Sequence, residues 1–234
     1  MCKKIIAMIF VFAFALNAQY NYDAQNNYNT QYNANYMEVV SVQGEVKITS
    51  KDIIAKPANI GDLLFSNDRL TLQANSYLTY YIQNNSLFKL KQNASLNIDE
   101  SLDRNNNIKF TLSSGEIIAI TKLNSINIIT PNANISMRGT VIIANNNGAT
   151  IIKVLSGSAT VNNNLQLGAF MQANISNTET TTGSIVLDAN TKSYLNEIIN
   201  LPYANNVAQV NFYRNIASLP DNTILNVNQS TIEK

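Results

Sequence analysis

IIANNNGATII (residues 142–152) sets two β-branched runs on either side of an Asn-Gly turn signal. Asn and Gly tolerate the positive φ that a tight hairpin connection demands, while Ile and Thr suit a pleated, half-buried surface. The stretch is therefore expected to form a β-hairpin. The same grammar extends in both directions. VVSVQGEVKI, YLTYYI, SLFKLK, IKFTL, EIIAI, SINIIT, TVIIA, ATIIKVL and SATV are separated by the amide-rich breaks QNNS, RNNN, NNNG and NNN. Many short strands with close turn signals and no long helical period predict an all-β domain over residues 38–175.

Glycine corners recur inside it. VQGEV (42–46), SSGEI (113–117) and LSGSA (155–159) each place a glycine before a polar residue and a new strand, at Gly44–Glu45, Gly115–Glu116 and Gly157–Ser158. Corners between short strands suit a chain that winds through successive sheets, as in a β-solenoid-like or twisted β-sandwich architecture. Their period is irregular, so no tandem array is expected.

The first forty residues read differently. MCKKIIAMIFVFAFALNAQ has Lys3 and Lys4, an apolar core from Ile5 to Leu16, and small residues at Ala15 and Ala18. That order predicts a secretory signal peptide over residues 1–18, with cleavage after Ala18 or Ala15. Cys2, the one cysteine, would leave with it, so neither a disulfide framework nor thiol chemistry is expected in the mature chain. The Asn/Gln/Tyr-rich residues 19–37 lack the apolar surface to offset ordering entropy; they read as a flexible tether, with a sticky contact arm as the alternative. The chain is thus expected to be exported, and in a bacterium periplasmic or extracellular.

Beyond residue 176 the β pattern loosens. DANTKSYLNEIIN (188–200) predicts a helix: Asp188 can cap, Leu195, Ile198 and Ile199 share a face, and Pro202 stands just past the end. Residues 207–219 fit strand or helix equally, and TILNV (223–227) reads as a last strand. Residues 176–234 are therefore expected to form a short mixed tail containing one helix.

Charge and composition exclude several classes. Sixteen basic and fifteen acidic residues give a net charge of +1, which offers no basic face for nucleic acid. No internal run approaches the ~18 apolar residues of a membrane span. The chain has no histidine, so Ser-His-Asp and Cys-His sets and zinc or haem sites on His or Cys are excluded. A carboxylate pair would need two of Glu45, Asp62, Asp68 and Glu116 within ~5–10 Å, and nothing in the spacing brings them together. Asp99, Glu100 and Asp103 in NIDESLDRNNN (97–107) lack the alternating oxygens and glycine of a calcium loop. No catalytic, metal or cofactor site is expected.

ITPNANISMRGT (129–140) is the most specific element. Together with VQGEVKI, ANIGDLLFSNDRLTLQANSYLTYYI, LSSGEIIAI and ATIIKVLSGSATV, it resembles the FecR-type domain in order and spacing over about residues 38–175. Gly44, Gly61, Asp68, Thr130, Pro131, Ala133, Arg138, Gly139, Thr140, Leu155 and Gly157 occupy the positions of that family's pattern. The resemblance implies an extracytoplasmic β domain. The family's namesakes relay signals from an outer-membrane receptor across the inner membrane to a sigma factor. This chain shows neither an anti-sigma segment nor a membrane helix ahead of the domain, so the resemblance implies a free-standing module without that relay.

Two groups of residues are candidate contacts. Strand alternation puts Arg138 opposite Ile135 and Met137, and a guanidinium there is expected to clasp a carboxylate at a corner, Glu45 or Glu116, with Gly139 allowing close approach. A ligand-facing Arg138 is the alternative. In SYLTYYI (76–82), Tyr77, Thr79 and Tyr81 share one face, either as a tyrosine row for a partner or sugar or as the outer side of an amphipathic strand. The expected function is non-catalytic: a protein-interaction module in envelope sensing or signalling. The alternative is a structural protein that binds cell-wall glycan or other polysaccharide.

Overall fold

The computed structural model describes residues 37–50, 54–82, 86–100, 108–146, 148–207 and 209–226, with the side chains at 123–125, 146 and 207 excepted. The expected signal peptide and nearly all of the expected tether lie outside the described residues; Met37 is instead the buried first residue of a strand.

The strands are β1 (Met37–Gln43), β2 (Val46–Thr49), β3 (Lys56–Pro57), β4 (Leu63–Leu64), β5 (Arg69–Leu72), β6 (Tyr77–Ile82), β7 (Ser86–Leu90), β8 (Ser95–Glu100), β9 (Ile108–Ile129), β10 (Asn134–Asn146), β11 (Ala149–Val161), β12 (Leu165–Leu167), β13 (Met171–Ser176) and β14 (Thr180–Ser184). They belong to one sheet whose main path is β14-β13-β11-β10-β9-β7-β6-β1-β4. β8, β5, β2 and β3 branch from the first half of β9. The pairings along both paths are antiparallel. The chain is all-β with a short helical tail, and the 142–152 hairpin forms, its register running down to Asn146↔Ala149. The amides do what the turns require: Asn162 (φ 49°) and Asn163 (φ 62°) both take the left-handed conformation.

Strand structure runs past residue 175. β14 is a threonine strand exposed at all five positions, so it carries no apolar alternation to betray it in sequence. The tail adds β15 (Val186–Leu187) and β16 (Thr223–Ile224), which pair with each other, and helices α1 (Ala189–Ile199), α2 (Ala204–Val207) and α3 (Val210–Ala217). The described residues of the tail thus hold the expected helix and two further short ones. α1 is the anticipated helix, with the Asp188 carboxylate accepting from the Thr191 amide at 2.6 Å. α3 resolves the ambiguous stretch: eight residues are too few for periodicity to declare itself, and burial of Val210, Phe212, Tyr213 and Ile216 holds it helical.

Two cores sandwich the central sheet. On β9, Ile117 and Ala119 face the inner core while Ile118 and Ile120 face the outer one, and on β10 Val141 and Ile143 oppose Ile142 in the same way. Residues 117–120 are accordingly buried without alternation, the mark of a strand covered on both faces. The inner core is filled by β-domain residues such as Leu78, Tyr80, Phe88 and Phe110. The outer core is closed by the tail through Leu195, Ile198, Phe212 and Tyr213. The tail thus packs on the β domain.

Tyr80 stacks on Phe88, ring centroids 5.0 Å apart, and meets Phe110 edge-on at 6.1 Å. Its hydroxyl is buried without a hydrogen-bond partner among the described residues, and burial drives its pKa well above that of a free phenol. An orphaned buried hydroxyl opposes folding. Tyr80→Phe keeps the ring and is expected to raise stability by about 1 kcal/mol in urea unfolding. A loss of stability would mean that the hydroxyl has a partner.

Candidate functional site

The conspicuous TP…RGT element builds a corner. Thr130 and Pro131 start the turn into β10, where the Thr130 amide donates to Ala133 O at 2.8 Å and the Ala133 amide to Thr130 Oγ1 at 3.0 Å. Farther along β10, Gly139 (φ +111°) lies directly opposite Gly157 (φ +81°) of β11. A Cβ on Gly139 would run into the Ser156 carbonyl, and one on Gly157 into that of Arg138. The pairing register of β10 shifts on both sides of this point, so two glycines let the strands bend while their backbones touch.

The expected Arg138 clasp is not made. Arg138 is exposed, and among the described residues it has no ion pair or side-chain hydrogen bond. Glu45 instead pairs with Lys47 at 2.8 Å on the surface, and Glu116 faces the tail. Alternation did send Arg138 away from the inner core, but no neighbouring layer covers that side. Thr140 holds the corner to the tail. Its Oγ1 accepts from the Tyr213 hydroxyl of α3 at 2.7 Å, and Ser156 Oγ lies 2.9 Å from the same oxygen. Tyr213 has one proton to give, so Ser156 donates to it. Burial pushes the Tyr213 pKa up, against the opposing effect of these two bonds.

At the other end of the tail, a charged cluster replaces apolar contact. Glu116 accepts from the Tyr194 hydroxyl of α1 at 2.6 Å and pairs with Lys91 at 3.0 Å. Lys91 also reaches Glu197 at 3.1 Å, whose second oxygen takes Lys89 at 3.0 Å. Burial alone would lower the Lys91 pKa; the two carboxylates outweigh it and hold the ammonium above its usual range. Tyr194 is raised by burial and then by its bond to Glu116. These groups latch α1 to β7 and β9.

Beside the latch lies a cleft of about 760 Å³ between the outer face of β1, β6 and β7 and helix α1. Its floor follows the strand register: Ser41 opposes Thr79, which opposes Lys89, and Gln43 opposes Tyr77. Its wall is one face of α1, with Ser193, Asn196, Glu197 and Asn200 at i, i+3, i+4 and i+7. Tyr77 lines the floor half-exposed with the Lys89 ammonium 4.9 Å from its ring centroid, whereas Tyr81 stacks on Tyr203 at 4.8 Å. The tyrosine row is therefore split between an open position and a packed one.

The remaining candidates stay apart. Gly44 and Glu45 occupy the β1–β2 turn, Gly115 lies buried inside β9, Asp62 takes the Asn59 amide and Lys56, and Asp68 takes the Phe65 amide. Asp99 accepts from Thr111 at 2.7 Å, and Asp103 lies outside the described residues. No group of three or more potential metal ligands occurs among the described residues, and no described helix is long and apolar enough to cross a membrane. Sequence reasoning missed Lys89, Lys91, Tyr194, Glu197 and Tyr213. Alternation in SLFKLK does place both lysines on one face, but their carboxylate partner is over 100 residues away.

An antiparallel β domain with a glycine-paired corner and a helical cap is the class this architecture defines. Residues 68–160 match the family model described as FecR protein. The match spans both the TP…RGT element and the Gly157 corner. Two crystal structures of a candidate anti-sigma factor from Parabacteroides distasonis ATCC 8503 are similar in fold. One, at 11% identity and a TM-score of 0.46, covers 54% of this chain and 64% of its own. The other, at 9% identity and 0.45, covers 56% and 72%. This chain thus spans less than two thirds of the first structure's length. No curated protein matches the sequence.

Proposed function

We propose that the chain is an exported, non-catalytic FecR-type module of envelope sensing or signalling, acting by contact with another envelope protein in the periplasm or outside the cell. The observation that carries this reading is the FecR match over residues 68–160. In this reading residues 1–18 are the leader, 19–37 the tether, 38–175 the sensing domain and 176–234 its cap. Arg138 supports it as an exposed cation beside the rigid Gly139–Gly157 corner, free to meet a partner's carboxylate.

The test combines location, gene expression and one variant. Osmotic-shock fractionation of the tagged chain is expected to recover it outside the cytoplasm. Deleting the gene is expected to change a discrete set of transcripts, restored by the native chain. Arg138→Ala is expected to keep its melting temperature, within about 0.5 kcal/mol of native stability, while failing to restore those transcripts. Cytoplasmic retention would overturn the reading. So would unchanged transcripts with a weakened wall, which would favour the structural, glycan-binding alternative.

A further inference from the structure

We propose that the cleft between α1 and the β1–β6–β7 face is a binding site for a neutral oligosaccharide. Its size, about 760 Å³, falls within the range of small-molecule sites. Its charges are already spent on each other: Lys89 on Glu197 at 3.0 Å, and Lys192 on Asp221 at 2.6 Å. A charged ligand would have to compete with these existing pairs for the cleft's charged groups. A neutral ligand has no such cost.

What the lining offers instead is hydroxyls and carboxamides. Ser41, Gln43, Thr79, Ser193 and Asn196 have no side-chain hydrogen-bond partner among the described residues. Thr79 is the most enclosed of them, 3% exposed at the cleft floor. These groups donate and accept in roughly equal measure, which matches a polyol, whose every hydroxyl does both.

Tyr77 completes the chemistry. The Lys89 ammonium over its ring fixes the side chain at the cleft floor. A pyranose presents one face of C–H bonds that packs on an aromatic ring while its equatorial hydroxyls reach sideways. Asn196 and Ser193 on the helix, with Thr79 and Ser41 on the sheet, stand on the two sides such hydroxyls would meet. Much of the outer face is covered by apolar residues of the tail, whereas at this end the sheet stays open beside polar side chains.

Isothermal titration of the full chain with maltotriose, cellotriose and triacetylchitotriose tests this, with glucose 6-phosphate and dilysine as charged controls. At least one neutral trisaccharide is expected to bind saturably and neither control to do so. Asn196→Ala, on an exposed helix position, and Tyr77→Ala are each expected to weaken binding about tenfold or more, with Asn196→Ala leaving the thermal midpoint unchanged. Absence of binding by all three sugars, equal binding by the Asn196→Ala chain, or preference for a charged control would overturn the proposal. The signalling role does not depend on it, because that is read by fractionation and transcripts.

Discussion

Gly139→Ala is expected to destabilise the chain by on the order of 3–5 kcal/mol, a large part of the stability of an ordinary domain. Two costs add. A φ of +111° is strained for any residue with a Cβ, and that Cβ would overlap the Ser156 carbonyl on a strand that cannot retreat without breaking the β10–β11 register. Gly157→Ala should behave alike, since its Cβ would strike the Arg138 carbonyl. Gly168→Ala is the control: no atom lies within 4 Å of its Cβ position and its φ is not positive, so it should change stability by less than about 0.5 kcal/mol. Urea unfolding followed by circular dichroism reads all three. A Gly139→Ala chain as stable as the Gly168→Ala chain would show that the corner does not need its glycines.

Tyr213→Ala should cost a similar amount, about 3–5 kcal/mol, by a different route. The ring is 1% exposed in the outer core against Phe212, and its hydroxyl ties Thr140 to Ser156. Truncation opens a cavity between sheet and tail and leaves the buried Thr140 hydroxyl without its donor. Tyr213→Phe separates the two effects: the cavity is gone, and the remaining loss should be about 1–2 kcal/mol. Hydrogen exchange should show α1 and α3 losing protection before the β strands, because their burial is against the sheet. Uniform loss of protection would mean that tail and β domain unfold as one unit.

The FecR signature and this docking converge on the same few residues. In TP…RGT, Thr130 and Pro131 make a turn, Gly139 makes the corner, and Thr140 receives the tail. Arg138 of that element is exposed and has no ion pair or side-chain hydrogen bond among the described residues. A residue that neither packs nor pairs at home is available to a partner, which is why the functional test is placed on it.

Local structure was legible in the residues alone. Alternation in SYLTYYI put Leu78, Tyr80 and Ile82 inward and Tyr77, Thr79 and Tyr81 outward, and asparagines marked turns because they accept left-handed backbone. Asp188 announced α1 because a cap is a contact between near neighbours. The all-β class followed from many such signals agreeing. The choice of partners came from the folded chain. Arg138 and Glu116 sit 22 positions apart and looked matched, yet Glu116 went to Tyr194, 78 residues on, once the tail folded over the sheet. Tyr77 and Tyr81 look equivalent in a strand, but only the packing of α2 and α1 covers one and leaves the other lining a cleft. Period and propensity act over a few residues, whereas which layer covers a given face depends on the path of the whole chain.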